Sequence, residues 1–241
     1  MKIISVNIQG NLQVERWIPW VKSESPDIFC LQEVYEDSFY QIQKEFGYYG
    51  EFYTMSIIPK EFQSTIGKGT SDVWGLAMFS KTPIHAVQKT TYAGSPDDLT
   101  YRWHDTCNRA VIVGMVTPED GKTYPVATTH FTWSNEGLNT NIQYNDWKSL
   151  VSVLSPYTEL LLCGDMNVPR GSPLATLMTE SFKDCIPAKY DTSLDPVLHR
   201  AGHLKRMVDY LFIRGALKCD SIELVQGVSD HMGIVAQVTK P

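Results

Sequence analysis

The sequence predicts an α/β fold, a four-layer sandwich of two mixed β-sheets flanked by α-helices. Three features carry that expectation. Short uninterrupted apolar runs at residues 28–31 and 160–163 have the pattern of strands buried on both faces. The first 33 residues read as strand, helix, strand, with an interval that suits a parallel crossover. Further along, strands outnumber helices and hairpins mix with parallel-type connections, which calls for layered mixed sheets.

In chain order, residues 3–7 form the first expected strand. Trp17, Ile18, Trp20 and Val21 then fall near helical spacing, ahead of the strand at 28–31. A second helix is expected over 36–46 and a strand over 48–53. Residues 54–72, with Lys60, Lys68 and several Gly, Ser and Thr, read as a long polar connection, a length that usually serves function or motion. Strands follow at 74–80 and 84–92, around Lys81-Thr82-Pro83. Residues 93–107 make another long connection, holding Tyr101-Arg102-Trp103-His104. The strands at 109–116 and 122–131 form a hairpin around Asp120-Gly121, a strong turn pair. A helix is expected over 137–154, then a buried strand at 160–163. Strands at 208–213, 222–225 and 232–238 close the chain. No low-complexity tract, short repeat or Pro/Gly/Ser-rich linker interrupts it, so residues 1–241 read as one domain.

Composition is ordinary for a globular protein: 43% hydrophobic and 20% charged over 241 residues, enough for one large core. The net charge of −6 argues against nucleic-acid binding through a large basic surface. It does not exclude a nuclease, because a metal site itself concentrates carboxylates. The five cysteines contain no Cys-x-x-Cys pair, which removes zinc-ribbon and redox-motif readings. Cys30 and Cys163 lie in apolar runs and are expected as reduced core residues. No signal peptide or membrane span is visible, so a cytoplasmic location is the default expectation.

Chemistry is signalled where polar residues interrupt or end apolar strands. Asn7 follows Ile3-Ile4-Ser5-Val6, and Glu33 ends Ile28-Phe29-Cys30-Leu31-Gln32. His130 ends an apolar run at 125–129, Asp165 and Asn167 follow Leu160-Leu161-Leu162-Cys163-Gly164, Asp209 adjoins Val208, and Asp230-His231 opens the last strand. A carboxylate at a buried strand end is costly unless paired or metal-bound. Several such ends at one sheet edge would make a polar floor in an otherwise dry sandwich.

At these residues the sequence resembles the endonuclease/exonuclease/phosphatase superfamily, whose fold is that of deoxyribonuclease I. The matching pieces, in order, are Ser5-Val6-Asn7-Ile8-Gln9-Gly10, Leu31-Gln32-Glu33, residues 75–81, Thr129-His130-Phe131, Gly164-Asp165-Met166-Asn167, Val208-Asp209-Tyr210 and Ser229-Asp230-His231. Gly-Asp-x-Asn with the terminal Ser-Asp-His is the most specific part. The resemblance implies a divalent-metal-dependent phosphoesterase using Mg²⁺, with Mn²⁺ as a substitute. It implies Glu33 as a metal ligand, with Asn7 orienting Glu33 or touching the phosphate, and Asp230 as a further metal-facing carboxylate. Asp165 would orient and deprotonate the attacking water, Asn167 would fix a phosphoryl oxygen, and His130 would stabilise transition-state charge. Asp209 and His231 resemble an Asp–His pair, leaving open whether His231 or Asp165 is the base.

Arg109 precedes a strand, where a phosphate contact and a salt bridge are both open. Trp133 and Asn135 follow His130 and are candidates to line a cleft. Arg102 sits in the basic-aromatic patch, and His199-Arg200, His203 and Lys205-Arg206 form a second basic cluster before Asp209. Such mixtures suit phosphate contact with base or sugar stacking, and equally an exposed loop. Gln9, where abasic-site enzymes of this superfamily carry a metal-binding Asp, and the segment 201–208 count against an abasic-site endonuclease. Two substrate classes follow: nucleic acid or its ends, and alternatively a small molecule or phospholipid headgroup. A catalytically inactive binding module on the same fold is the reading from another class.

Overall fold

The computed structural model describes residues 1–62, 71–101 and 107–241. Two six-stranded sheets stack face to face. The first runs β11-β12-β1-β2-β4-β3 and the second β5-β6-β7-β8-β10-β9. In the first, β1 (Lys2–Asn7), β2 (Ile28–Tyr35), β3 (Tyr49–Ile57) and β4 (Val73–Ser80) are joined by β11 (Lys218–Val225) and β12 (Gly233–Thr239). The second holds β5 (Ile84–Ala93), β6 (Arg109–Val116), β7 (Tyr124–His130), β8 (Leu160–Asp165), β9 (Lys183–Asp184) and β10 (Asp209–Arg214). Outside lie α1 (Val14–Glu24), α2 (Glu36–Phe46), α3 (Asn141–Leu154) and α4 (Pro173–Ser181).

The strand period of two builds these layers, because successive side chains point to opposite faces. Ile3, Cys30 and Met78 face inward from the first sheet and meet Ile112, Val126, Cys163 and Leu211 of the second. Their neighbours Ile4, Phe29 and Phe79 face outward and are covered by Trp17 and Val21 of α1 and by Phe39 and Ile42 of α2. On the other side, Val113, Ala127, Leu162 and Phe212 are covered by Trp147 and Leu150 of α3 and Met178 of α4. β2 and β8, covered on both faces, are the continuous apolar runs seen in the sequence. Cys30 and Cys163 are buried free thiols.

The expected crossover is present: β1 and β2 pair in parallel across α1, with Asn7 opposite Gln32. The expected hairpin is present as well, β6 pairing antiparallel with β7. β3 extends to Ile57, into the stretch expected as a polar connection. The helix expected from residue 137 begins at Asn141, because Thr140 and Gln143 form a reciprocal capping box that fixes the start. Short α4 and β9, absent from the sequence reading, connect β8 to β10. Among the described residues no helix is long and apolar enough to cross a membrane.

Candidate active site

Strand register brings the polar strand ends together. β7, β8 and β10 are neighbours, with His130 opposite Asp165 and Asp165 opposite Asp209. In the facing sheet, β1 ends at Asn7 beside Gln32, and β12 starts next to the end of β1, Ser5 facing Ile234. Asp230 and His231 immediately precede β12. Both sheets therefore end in polar groups on the same rim. Just beneath it, Gln32 Nε2 donates to Thr128 Oγ1 at 3.1 Å and lies 3.4 Å from Ser5 Oγ, a polar tie between the sheets.

Local backbone devices aim the side chains. The pairing of β2 with β4 slips between Gln32 and Val34, and Glu33 at that bulge takes φ 63°. A bulge re-aims a side chain, and here it turns Glu33 into the cleft. Gly164 has φ +138°, and a Cβ there would stand 2.0 Å from the Thr129 carbonyl oxygen. Only glycine lets β8 approach β7 this closely. Asn167 takes φ 50°, with its backbone N–H donating to Asp165 Oδ1 at 2.8 Å. Gln143 reaches from α3 to donate to the carbonyl of Thr132 at 2.7 Å, fixing the loop after β7.

The resulting network is dense. The Asn7 amide donates to Glu33 Oε1 at 3.0 Å and to Asp165 Oδ2 at 3.2 Å, while its oxygen accepts from the Gln9 N–H at 3.1 Å. The partners fix the amide orientation, since a flip would aim the oxygen at both carboxylates. His231 Nδ1 meets Asp209 Oδ2 at 2.7 Å, and its Nε2 lies 3.8 Å from Asp165 Oδ2. His130 Nε2 lies 3.5 Å from the same Asp165 oxygen, and its ring packs 5.7 Å from that of Trp74. The Asn167 amide donates to the carbonyl of Phe131 at 3.1 Å.

Electrostatics separate the roles. Burial, aided by Asp230, pushes the Glu33 carboxyl up to about 7. Burial also raises Asp230. For His231, burial alone would favour the neutral ring, but Asp209 and Asp165 outweigh it and hold the imidazole well above its usual range. Burial drives His130 the other way, down to about 3, so it stays neutral, and its Nδ1 has no hydrogen-bond partner among the described residues. Burial, with His231 next in effect, lowers His199 to about 4. Carboxylates crowded this closely in a desolvated rim fit a hard divalent cation, which would offset the burial, and after it the Asp230 charge, that raise Glu33. Asp165, Asp209 and His231 place polar atoms within 4.8 Å of one another, as do His199, Asp230 and His231; Glu33 is in neither group, and an imidazolium at His231 leaves only the carboxylates, with His199, as ligands there.

These groups open into a cleft of about 510 Å³. A sequence model of the endonuclease/exonuclease/phosphatase family matches residues 4–231. The chain belongs to that family. Its members are hydrolytic phosphoesterases, and the sandwich is the deoxyribonuclease I-like fold. No curated protein matches the sequence. Solved structures share the architecture at low identity. An endonuclease/exonuclease/phosphatase from Bacteroides vulgatus is 18% identical with a TM-score of 0.73, over 100% of this chain and 98% of that one. The human Nocturnin catalytic domain is 20% identical with a TM-score of 0.69, over 100% and 94%. A mannosyl-6-phosphatase from Bacteroides thetaiotaomicron is 13% identical with a TM-score of 0.70, over 99% of each.

In this family member Asn7, Glu33, His130, Asp165, Asn167, Asp209, Asp230 and His231 share one rim. Arg109 lines the cleft and its Nη1 reaches toward the carbonyl of His130 at 3.5 Å. Trp133 also lines the cleft. Asn135 stands exposed in a short 3₁₀ turn, outside the lining. Arg102 and its neighbours to 106 lie outside the described residues. Sequence reasoning gave no role to Trp74, Gln9 as a positioner of Asn7, or the capping and bracing Gln143. It singled out His199, Arg200 and Arg206 in a basic cluster suited equally to phosphate contact and to an exposed loop, and all three line the cleft. Gln143 had a signal, the Thr-x-x-Gln start of a helix; Trp74 had none.

Proposed function

We propose that the chain is a divalent-metal-dependent phosphoesterase acting on phosphodiesters of nucleic acid or its ends. The observation that carries this reading is the meeting of Asn7 and Glu33 from one sheet with His130, Asp165 and Asp209 from the other on one rim. Glu33 and Asp230 would hold Mg²⁺ or Mn²⁺, with Asn7 fixing the Glu33 carboxylate through its amide. A bound divalent ion supplies neutralisation of the phosphoryl oxygens.

The chain's own groups divide the remaining work. His231, held as an imidazolium by Asp209 and Asp165, has no lone pair for a proton and is the wrong group for a base. It donates, stabilising charge on the phosphate or its leaving oxygen. Asp165 is left to orient the attacking water and accept its proton. Its Oδ1 is engaged by the Asn167 N–H, and its Oδ2 faces both histidines. Neutral His130 contributes an Nε2–H donor to the phosphoryl oxygens. Asn167 has one amide hydrogen tied to Phe131 and a second for the phosphate. Arg109 and Trp133 supply a cation and a stacking face along the cleft.

Incubation with single-stranded, double-stranded and end-blocked oligonucleotides in Mg²⁺ tests the reading: cleavage of at least one class is expected. No cleavage of any, with turnover of phosphorylated sugars or lipid headgroups instead, would transfer the site to small molecules. That second reading is favoured by the net charge of −6 and a cleft sized for a small ligand. No turnover of either set would leave a binding module.

A further inference from the structure

The segment before β10 carries cations that the reaction described above does not use. Arg200 and Arg206 line the cleft, in a chain of net charge −6. Among the described residues neither guanidinium has a carboxylate within 4 Å, whereas Arg170 and Lys205 each have one, Asp184 and Asp191, at 2.8 Å. Arg206 is also seated. Its Nη1 lies 2.7 Å from where a Cβ would stand on Gly137, with Pro169 Cγ at 2.8 Å from the same point. Gly137 lines the same cleft, and its missing side chain leaves a shelf for the guanidinium; its φ of +65° also disfavours any other residue there.

The segment is held to the catalytic rim. Asp195 is buried, and its carboxylate accepts from the N–H groups of Val197 and Leu198 at 2.9 Å and of Gly227 at 2.7 Å. Ser193 Oγ accepts from Val208 N–H at 2.9 Å and Asp209 N–H at 3.0 Å. The Asp195 N–H donates to the carbonyl of Asp230, and the Met232 N–H to that of Ser193. His199 stacks edge-on 5.6 Å from His231. Its Nδ1 accepts from the Ala201 N–H at 3.0 Å, which leaves the ring proton on Nε2 as a donor.

We infer that Arg206, Arg200 and His199 form a second anion subsite beside the hydrolytic centre, so that the preferred substrate carries a second phosphate besides the one attacked. This rests on the phosphoesterase reading and deepens it. Arg200 is exposed and Arg206 half-buried on the cleft wall, so both can reach an anionic ligand, and guanidinium–phosphate pairs are strong and directional. The second phosphate belongs either to the adjacent nucleotide of a nucleic-acid end or to a bisphosphorylated small molecule.

Calorimetric binding to the full chain in chelator, where nothing is turned over, separates these sources. One arm compares the dinucleotide TpT with its 5′-phosphorylated form pTpT. The other compares thymidine 5′-monophosphate with thymidine 3′,5′-bisphosphate. The extra phosphate is expected to tighten binding by at least about tenfold in one arm, and that arm names the source. The gain should fall to less than about threefold in Arg206→Gln and in Arg200→Gln, with Arg206→Lys between them and the wild type, all three melting as the wild type does. No gain in either arm, or a gain that survives both glutamine substitutions, overturns the subsite. Failure to hydrolyse any phosphoester with metal present would instead strike the function itself, and the two failures are read independently.

Discussion

Asp165 is the residue through which the two halves of the site communicate. It accepts from Asn7 and the Asn167 backbone and lies near both His130 and His231. Asp165→Asn keeps the shape and removes the charge and the basicity. It should lower kcat by at least about 10²-fold with little change in thermal midpoint, as read by a phosphodiester assay alongside a melt; near-wild-type turnover would remove Asp165 from the chemistry. Asp209→Asn tests the neighbouring pair. Asp209 is the largest influence raising His231, so its loss should lower the imidazole pKa. A rate that needs the imidazolium then loses its basic limb at lower pH than the wild type. A basic limb that stays in place, with only the amplitude reduced, would reassign His231 to a structural role.

At the scale of elements, the site depends on how closely β7 and β8 approach. Gly164→Ala would put a methyl group 2.0 Å from the Thr129 carbonyl, at φ +138° where side chains are strained. Urea unfolding should show a loss of at least about 2 kcal/mol. A neutral result would mean that the strands separate without cost and that the register of His130 with Asp165 is not set there. Most elements were legible in the sequence, because long apolar periods betray buried faces. β2 and β8, covered on both sides, read as unbroken apolar runs. α4 was not legible: it is nine residues long, and its buried Leu174, Ala175 and Met178 give too short a stripe to show a period. β9 is two residues of edge pairing and has no period at all. The start of α3 was misjudged by four residues because the capping pair Thr140 and Gln143, not the apolar pattern, sets that boundary.

At the scale of the whole molecule, a sandwich of two sheets makes a site from chain segments that lie far apart in sequence. Asn7 and Asp165 are 158 residues apart and hydrogen-bonded. Strand ends were visible in the sequence as polar stops on apolar runs, so the rim residues could be named before their register was known. What the strands could not announce was the wall. Trp74 and the Arg206 shelf on Gly137 come from packing between loops, which no local pattern encodes. The net charge likewise gave no sign that Arg200 and Arg206 gather at the cleft.

The central claim is that one hard cation, held through Glu33 on this rim, is required for phosphoester hydrolysis. Metal-free Glu33 has a carboxyl pushed up to about 7, so protons compete with the ion below that pH. Apparent Mn²⁺ affinity should therefore climb by up to about tenfold per pH unit from pH 5 to 7 and level off above; a flat profile would place the ion on other ligands. The most direct measurement is hydrolysis after exhaustive chelation, followed by titration with Mg²⁺. No turnover in chelator, full recovery with Mg²⁺, and at least about tenfold more Mg²⁺ needed by Glu33→Gln are expected. Undiminished hydrolysis in chelator would contradict the claim outright.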